Sequence, residues 1–323
     1  MTVYGFGEVL LRYTPPNYKQ LKDTDALRVN VGGAELNALV TLAQFGHGTE
    51  MLTVLPHHAL GQLALQQMYQ SRVGTSLIHQ VDGRMGTYYM EESFGFRSGK
   101  VIYDREHSSF AEVGHVVIND VPIKKGDYVV LTGITLAINE TIREQIVEIL
   151  KGLKSQGAYI VFDINFRANL WSKAVAVPII QSILPLVDVL FFGKKDATHL
   201  LETNTESDDI KTCAETLQRQ YHIPLMASSN RDIEQSTLQG IALSEQGYLE
   251  SEAYQYAVLN RIGAGDAFMA GVLHGLINQW QLKETIDFAT KCSVLQHTTN
   301  EDALAVDESD VFKLASHFGE LKR

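Results

Sequence analysis

Two kinds of segment alternate after residue 126 and predict an α/β fold with three layers, α/β/α, and a mostly parallel central sheet. Short, wholly apolar runs are typical of strands buried on both faces, and the segments between them have helical spacing. The strand-like runs lie at 128–131, 159–162, 187–192 and 224–227. Two earlier segments, about 9–31 and 76–105, contain short strands without helices between them and predict a small β-sheet lid.

The first hundred residues carry both patterns. Residues 28–31 are strand-like and end at Gly32-Gly33, and apolar residues then recur at helical spacing over 34–46. A buried strand is predicted over 49–55 and a helix over 60–72. Glycine-bearing turns separate three further strand-like pieces, at 76–80, 87–91 and 100–103.

Helical segments dominate the rest of the chain. Between the apolar strands the predicted helices cover 139–154, 178–184 and 208–220. A hairpin-like pair follows at 237–243 and 247–256. The last predicted helices cover 265–279, 283–297 and 308–318. No internal repeat or linker interrupts this order, so the sequence predicts a single domain, 1–323, whose core is everything outside the lid.

The composition excludes several classes of protein. The 323 residues carry a net charge of −11 and no basic run, which disfavours a nucleic-acid partner. The N-terminus lacks the pattern of a signal peptide, and no apolar run reaches the roughly 20 residues of a membrane helix. Cys213 and Cys292 have no metal-binding spacing and suit buried thiols in a reducing compartment. A cytoplasmic protein without a membrane partner is therefore expected.

The segment 260–268, Asn-Arg-Ile-Gly-Ala-Gly-Asp-Ala-Phe, contains the most information about function. Gly263 and Gly265 let the backbone turn sharply ahead of a helix, so that several N–H groups can point at one bound anion. Asp266 would then lie beside phosphate. A carboxylate there can accept the proton of an attacking hydroxyl, although an isolated aspartate in a first turn commonly does no more than stabilise the helix.

Other catalytic motifs are missing. The sequence has no G-x-x-x-x-G-K-[ST] phosphate loop, no H-E-x-x-H pair and no G-x-S-x-G turn. Gly5-Phe6-Gly7 resembles the start of a dinucleotide fingerprint but lacks the third glycine. No set of side chains has the spacing of a protein metal site, so no metal ligands are predicted.

Two separated motifs resemble those of the ribokinase-like (PfkB) carbohydrate kinases. They are G-A-G-D-A-F followed by A-G at 263–271, and G-G-A-E-L-N-A at 32–38. The resemblance implies a ribokinase-like fold, a sugar held between lid and core, and Asp266 as catalytic base helped by Gly263, Ala264 and Gly265. It also implies ATP and Mg²⁺ as cofactors, and it permits a homo-oligomer formed through the lid.

Within this family, several segments are similar to 2-keto-3-deoxygluconate kinases. These are G-E-V-L-L-R at 7–12, G-T-Y-Y at 86–89, Y-D-R at 103–105, L-T-G-I-T at 131–135 and F-D-I-N-F-R at 162–167. The resemblance implies phosphorylation of 2-keto-3-deoxygluconate on its terminal hydroxyl, giving the 6-phosphate. The small-molecule partners would be a sugar acid and ATP.

The chemistry of a sugar acid suggests binding residues. Arginine suits a carboxylate, so Arg105 and Arg167 are predicted to bind it, with Tyr103 and either Tyr88 or Tyr89 as a wall. Each arginine could equally form an ordinary surface ion pair. By resemblance, the other substrate contacts are Gly33, Asn37, Ile134 and Asp302. By resemblance too, the nucleotide contacts are Asn165, Asp196, Ser228, Arg231, Gly263 and Gly265.

The departures from the family pattern lie around the nucleotide rather than the sugar. Gly193 and Asp196 stand where the family has N-x-x-E, Asn260 and Arg261 replace Asp and Thr, and Arg231 replaces a lysine. Glu301 lies in a turn that has lost its glycine. Two alternatives therefore stay open: a kinase for a neutral, fructose-like sugar or a nucleoside, and a catalytically weakened sugar-acid-binding protein on the kinase fold.

Overall fold

The computed structural model describes residues 1–118, 121–201, 209–232 and 234–314. Its strands belong to a large central sheet, a small four-stranded sheet and a two-stranded sheet. In chain order they are β1 Thr2–Phe6, β2 Leu10–Thr14, β3 Arg28–Gly32, β4 Gly48–Leu52, β5 Val54–Pro56, β6 His79–Val81, β7 Gly86–Glu91, β8 Lys100–Asp104, β9 Tyr128–Thr132, β10 Tyr159–Asp163, β11 Val189–Phe191, β12 Leu225–Asp232, β13 Thr237–Ser244, β14 Gly247–Glu250 and β15 Tyr254–Gln255.

The α-helices mostly lie between strands of the central sheet. They are α1 Ala34–Gln44, α2 Ala59–Gln70, α3 Ser109–Val113, α4 Gly133–Ile138, α5 Glu140–Ser155, α6 Lys173–Ile183, α7 Ile210–Tyr221, α8 Ala264–Ile277, α9 Leu282–Gln296 and α10 Glu308–Phe312. In the described part of the chain, no helix combines the length and apolar character needed to cross a bilayer.

The central sheet has the strand order β14-β13-β12-β11-β10-β9-β1-β4, and β15 pairs with β13. From β4 to β12 all neighbours are parallel, and only the β13–β15 end is antiparallel. Because parallel strands end at the same edge, the loops after β10, β11 and β12 lie together. Ligands of open α/β sheets bind at this carboxyl edge.

Alternating residues of the parallel strands face two different hydrophobic clusters. Ile160 and Phe162 of β10 belong to one cluster, with residues of α5, α6 and α7. Val161 belongs to the other, with residues of α1, α8 and α9. Strands covered on both faces need apolar residues at every position, which explains their unbroken apolar runs. The three-layer α/β/α prediction is confirmed.

The small sheet has the order β3-β2-β7-β8 and stands against the carboxyl edge of the central sheet. Leu10, Tyr88 and Met90 form its inner cluster, against which Ile262 packs just before α8. The smaller sheet agrees with the expected fold class, and its movement as a lid stays a prediction. One expected lid strand, 76–80, is displaced: β6 pairs with β5 in a separate two-stranded sheet instead.

One expectation about the C-terminal region is modified. The helix predicted over 308–318 is described as α10, Glu308–Phe312, and residues from 315 onward lie outside the described part.

Two glycines of α8 lie at a close helix contact. A Cβ on Gly271 would lie 2.5 Å from Ala289 Cα, and one on Gly275 would meet Thr285. These glycines therefore allow α8 to approach α9.

Candidate active site

The turn ahead of α8 requires glycine at Gly263. Its φ is 75°, in the left-handed region, and a Cβ there would lie 1.9 Å from the carbonyl oxygen of Asp302. Both the conformation and the close approach exclude a side chain. Ala264, Gly265 and Asp266 follow this glycine and form the first turn of α8. Backbone N–H groups in the first turn of a helix have no partner within the helix.

Gly265 is a glycine for a different reason. Its φ is ordinary, and a Cβ at this position would meet no atom within 4 Å. Neither backbone strain nor packing against described residues accounts for the missing side chain. The open space lies at the positive end of α8, where an anion is stabilised. Gly265 thus leaves room for an anionic ligand at the helix N-terminus.

Asp266 points from this helix turn toward α1. Its Oδ2 accepts a hydrogen bond of 2.7 Å from Asn37 Nδ2. Burial raises the pKa of Asp266 to about 7, and the carboxylates of Glu35 and Asp302 act in the same direction, against Asn37 and Arg167. A carboxylate with a pKa near 7 can accept a proton more effectively than one of ordinary pKa.

A cavity of about 270 Å³, here cavity A, opens between the small sheet and the first turns of α1 and α8. Most of the predicted substrate and catalytic residues line it. They are Gly33, Asn37, Tyr88, Tyr103, Arg105, Ile134, Arg167, Gly263, Ala264, Gly265, Asp266 and Asp302. Asn165, predicted to contact the nucleotide, lines this cavity too.

A second cavity of about 300 Å³, cavity B, lies beyond the carboxyl ends of β10, β11 and β12. Five of the residues predicted to contact the nucleotide line it: Asn165, Asp196, Ser228, Arg231 and Gly265. The hydroxyl of Ser228 is buried and makes no hydrogen bond with any described residue. A buried hydroxyl without a partner at the wall of a cavity is suited to a polar ligand.

The two cavities adjoin one another. Asp163, Asn165, Arg167 and Gly265 line both. Asn165 has a φ of 36°, unusual for a residue with a side chain, and its N–H donates to Asp163 Oδ1 at 3.2 Å. The junction is therefore formed by a tight turn after β10 on one side and by the start of α8 on the other.

Arg105 has a protein partner, which its sequence context does not reveal. Its Nε donates to Glu8 Oε2 at 2.7 Å, its Nη2 donates to the same oxygen, and Ser108 donates to Glu8 Oε1. Both members of the ion pair are buried. Glu8 thus balances the charge of Arg105 in an ion pair that is buried rather than at the surface, and Nη1 has no partner among the described residues.

Asp302 is likewise paired. Arg12, fully buried, donates from Nε and Nη2 to Asp302 Oδ1 at 2.9 and 2.6 Å. The hydroxyl of Tyr88 donates to Oδ2 at 3.3 Å. Burial raises the pKa of Asp302, and Arg12 opposes that rise. The pair connects β2 of the small sheet to the turn after α9.

Tyr88 and Tyr89 point to opposite faces of β7. Tyr88 lines cavity A, whereas Tyr89 stacks on Tyr13 with ring centroids 5.3 Å apart and does not line either cavity. Of the two alternatives, Tyr88 is therefore the tyrosine that lies at cavity A. Gly33 lies at the wall of cavity A, and a Cβ there would lie 2.4 Å from the carbonyl oxygen of Glu8.

Asp163 and Asp196 bring two more carboxylates to cavity B. Burial raises the pKa of Asp163 well above its ordinary value, and the charges of Asp196 and Asp266 raise it further. Burial also raises the pKa of Asp196, whose Oδ2 accepts from Gly193 N at 2.7 Å. Arg167 is the nearby cation that opposes both shifts.

Glu35 is a buried acid on the wall of cavity A. Its Oε1 accepts from Thr132 N at 3.0 Å and Thr135 Oγ1 at 2.8 Å, so α1 is attached to the end of β9. Burial raises its pKa. The link holds the helix that presents Asn37 to Asp266.

Sequence reasoning did not select five charged residues that line cavity A or support its walls. They are Glu8, Arg12, Glu35, Asp163 and Arg261. Four of them lie inside segments that resemble the family, so a search of those segments for charged residues would have found them. Arg261 lies at a departure from the family pattern, is exposed and belongs to the lining of cavity A.

Cavity A can hold an alcohol and cavity B a nucleotide phosphate, and they meet beside a carboxylate able to take a proton. That arrangement defines a phosphotransferase acting on an alcohol. The chain belongs to the pfkB family of carbohydrate kinases, whose sequence model matches residues 3–307. A carbohydrate kinase of this kind uses ATP as the phosphoryl donor.

Several relatives that match nearly the whole chain are named as kinases of 2-dehydro-3-deoxy sugar acids. A 2-dehydro-3-deoxygalactonokinase of Haloferax volcanii is 27% identical over 308 residues, 95% of this chain and 94% of that protein. The crystal structure of a 2-dehydro-3-deoxygluconokinase from Thermotoga maritima has a TM-score of 0.90 at 28% identity, covering 98% of this chain and 100% of that one. A PfkB family carbohydrate kinase from Listeria grayi is 32% identical, with a TM-score of 0.87, covering 96% and 98%.

Proposed function

We propose that this chain phosphorylates a 2-keto-3-deoxy sugar acid, 2-keto-3-deoxygluconate, on its terminal hydroxyl to give the 6-phosphate. The observation that carries the proposal is Asp266, with a pKa of about 7, on the wall of cavity A and next in the chain to Gly265, which lines both cavities. The relatives that act on 2-dehydro-3-deoxy sugar acids support the choice of substrate class.

Asp266 acts as the general base. It takes the proton of the C6 hydroxyl as that oxygen attacks the terminal phosphorus of ATP. The bond from this phosphorus to the bridging oxygen breaks, and ADP leaves with the electron pair. The N–H groups of Gly263, Ala264 and Gly265 stabilise the charge on the transferred group, because they sit at the positive end of α8.

ATP binds in cavity B with its phosphates toward Gly265. The partnerless hydroxyl of Ser228, the side chain of Asn165 and the exposed guanidinium of Arg231 are available to its oxygens. Arg231 takes the place of the lysine found in the family pattern, and arginine's fork suits phosphate. This arrangement brings the terminal phosphate to the junction of the two cavities.

Mg²⁺ is proposed as the accompanying ion, with Asp163 and Asp196 as its nearest carboxylates. The described residues contain no cluster of three or more protein ligands, which suits an ion held by one or two carboxylates, water and substrate phosphates. The raised pKa values at Asp163 and Asp196 indicate crowded negative charge that a cation would relieve. When bound, the ion would neutralise charge between the phosphates.

The sugar acid binds in cavity A. Tyr88, Tyr103 and Ile134 form its wall, and Gly33, Asn37 and Asp302 lie within reach of hydroxyl groups. Arg167 and the Nη1 group of Arg105 donate to the acid. The small sheet closes over the bound sugar and excludes water, which would otherwise accept the phosphoryl group.

An assay of ATP consumption over a panel of sugar acids, hexoses and nucleosides tests this function. Turnover with 2-keto-3-deoxygluconate well above that with fructose supports it, and the reverse order would favour the neutral-sugar or nucleoside kinase. Asp266→Asn keeps the shape and removes the base, so kcat should fall roughly 10²–10⁴-fold while the sugar acid still binds. Binding without turnover by the unaltered chain would favour the catalytically weakened binding protein.

A further inference from the structure

Arg12 is a buried arginine to which the proposed reaction assigns no role. It lies on β2, is fully buried and lines neither cavity A nor cavity B. Its Nε and Nη2 donate to Asp302 Oδ1 at 2.9 and 2.6 Å. Its Nη1 donates to Thr14 Oγ1 at 3.0 Å, and Nη2 also donates to the carbonyl oxygen of Asn300 at 2.8 Å. These hydrogen bonds compensate for removing the charge from water and give the side chain one fixed position.

The turn after α9 is bonded to three neighbouring strands of the small sheet. Arg12 pairs with Asn30 of β3 on one side and with Tyr88 of β7 on the other, so the three side chains share one face of the sheet. Asn30 Nδ2 donates to Glu301 Oε2 at 2.9 Å, and the hydroxyl of Tyr88 donates to Asp302 Oδ2 at 3.3 Å. Arg12 supplies the link in which both partners are charged, and such hydrogen bonds are the strong ones.

The turn ahead of α8 is attached to the same segment by other contacts. Gln296 Nε2 donates to the carbonyl oxygens of Ile262 at 2.9 Å and of Glu301 at 2.7 Å. Gly263 approaches the carbonyl oxygen of Asp302 so closely that a Cβ would lie 1.9 Å from it. Loss of the buried arginine would therefore loosen the wall of cavity A, while the turn ahead of α8 keeps these contacts.

We propose that Arg12 is a positioning residue for the acceptor: it holds the Asp302 carboxylate in place, so that Asp302 and Tyr88 keep their positions in the wall of cavity A. This inference rests on the proposed binding of the sugar acid there. Burial raises the pKa of Asp302 and Glu301 adds to the rise, whereas Arg12 and Tyr88 oppose it. The ion pair thus favours an ionised Asp302, whose oxygens can only accept hydrogen bonds, as binding of a sugar hydroxyl requires.

The test measures binding of 2-keto-3-deoxygluconate by calorimetry in the Asp266→Asn background, where neither turnover nor titration of the base interferes. Arg12→Gln should raise Kd for the sugar acid roughly 10- to 100-fold at neutral pH, and should change Kd for a non-hydrolysable ATP analogue less than about threefold. Its affinity for the acid should recover as the pH is raised, because Asp302 then ionises without help from the arginine. Arg12→Lys keeps the charge and loses the fork, so it should lose less affinity and show no such recovery.

Lys154→Gln is the matched control, because it breaks an ion pair with Asp188 ahead of β11, at the opposite edge of the central sheet from the cavities. It should leave both affinities unchanged. Thermal unfolding shows whether Arg12→Gln keeps its fold. If it does not, Arg12→Gln combined with Asp302→Asn decides, since the pair then carries no buried charge; this variant should lose the same affinity for the acid at every pH.

The outcomes separate the inference from the function beneath it. If the folded variant binds the sugar acid as tightly as the Lys154→Gln control, or loses affinity for the nucleotide to the same extent, the inference is overturned while the kinase assignment stands. Unaltered affinity in the double variant would overturn it as well. If the unaltered chain neither binds nor phosphorylates a sugar acid, the proposed function fails and the inference fails with it.

Discussion

The protonation of Asp266 connects the local environment of one side chain to the chemistry of the whole site. Burial raises the pKa of its carboxylate most, the acids Glu35 and Asp302 raise it further, and the hydrogen bond from Asn37 and the charge of Arg167 lower it. These influences leave its pKa near neutrality, where a modest change of pH alters the fraction of base. Rate and pH are therefore linked through this residue.

Below pH 7 the rate should fall. A raised pKa means that Asp266 is mostly protonated below about 7 and cannot accept a proton, so kcat/KM for the acceptor should drop about tenfold per pH unit there. The profile is measured at saturating ATP and Mg²⁺. The residual rate of Asp266→Asn should lack this acidic limb, and an identical limb in that variant would assign the titration to another group.

Gly265→Ala should leave the fold intact and damage function. The added methyl group meets no protein atom within 4 Å, and alanine favours a helix over glycine by about 1 kcal/mol, so the free energy of unfolding should not decrease. The methyl group occupies the space assigned to phosphate, so kcat/KM for ATP should fall roughly 10²-fold. Undiminished turnover would show that no phosphate approaches this turn.

For single residues, the sequence predicted those whose proposed roles depend on residues close to them in the chain. Gly263, Gly265 and Asp266 form a local motif, and the structure brings them to one turn. The choice between Tyr88 and Tyr89 could not be made, because either face of an isolated strand can be the inner one. Glu8 lies 97 residues from Arg105, and only tertiary structure reveals such a pairing.

Helices α8 and α9 pack closely through glycine. Gly271 lies against the backbone of Ala289 and Gly275 against Thr285. This contact fixes the helix that begins at the turn of Gly263, Gly265 and Asp266. The sequence predicted both helices but not their mutual approach, because α8 is buried on nearly every side and its apolar pattern marks no single face.

Gly271→Ala should destabilise the fold, whereas Gly265→Ala should not. Its Cβ would lie 2.5 Å from Ala289 Cα, so the helices must separate, and over-packing of this kind costs about 1–3 kcal/mol. We expect a lower Tm in thermal unfolding, despite the better helix propensity of alanine. A Tm equal to that of the unaltered chain would mean that α8 and α9 adjust without strain.

In the whole molecule, the exposed edge strand β8 of the small sheet lies beside cavity A. All five residues of β8 are exposed, and among the described strands β8 pairs with β7 alone. Unpaired edge strands readily pair with another chain. This edge supports the proposal of a homo-oligomer formed through the small sheet, which the sequence suggested by resemblance.

Ile102→Lys tests that proposal. Ile102 is 55% exposed and does not line cavity A, unlike Val101 and Tyr103 on either side of it. A charge there should prevent pairing of two edges, so light scattering should change from a dimer or larger assembly to a monomer. A monomeric unaltered chain, or an unchanged assembly in the variant, would remove the small sheet from the interface.

The general architecture could be predicted from the sequence because the two kinds of element have different apolar patterns. Parallel strands buried on both faces consist of unbroken apolar runs, whereas apolar residues in helices recur at a wider spacing. The strand at 76–80 was misassigned since its pairing with β5 depends on a neighbour more than 20 residues earlier in the chain. Short strands carry little information about which sheet they join. Their partners are decided by the packing of the complete chain.

The most direct measurement is a crystal structure with 2-keto-3-deoxygluconate and a non-hydrolysable ATP analogue bound together. We predict the Asp266 carboxylate within about 2.6–3.2 Å of the terminal hydroxyl of the sugar acid. The last phosphate of the analogue should contact the amides of residues 263–265. A sugar hydroxyl directed away from Asp266, or phosphates bound elsewhere than the start of α8, would contradict the account.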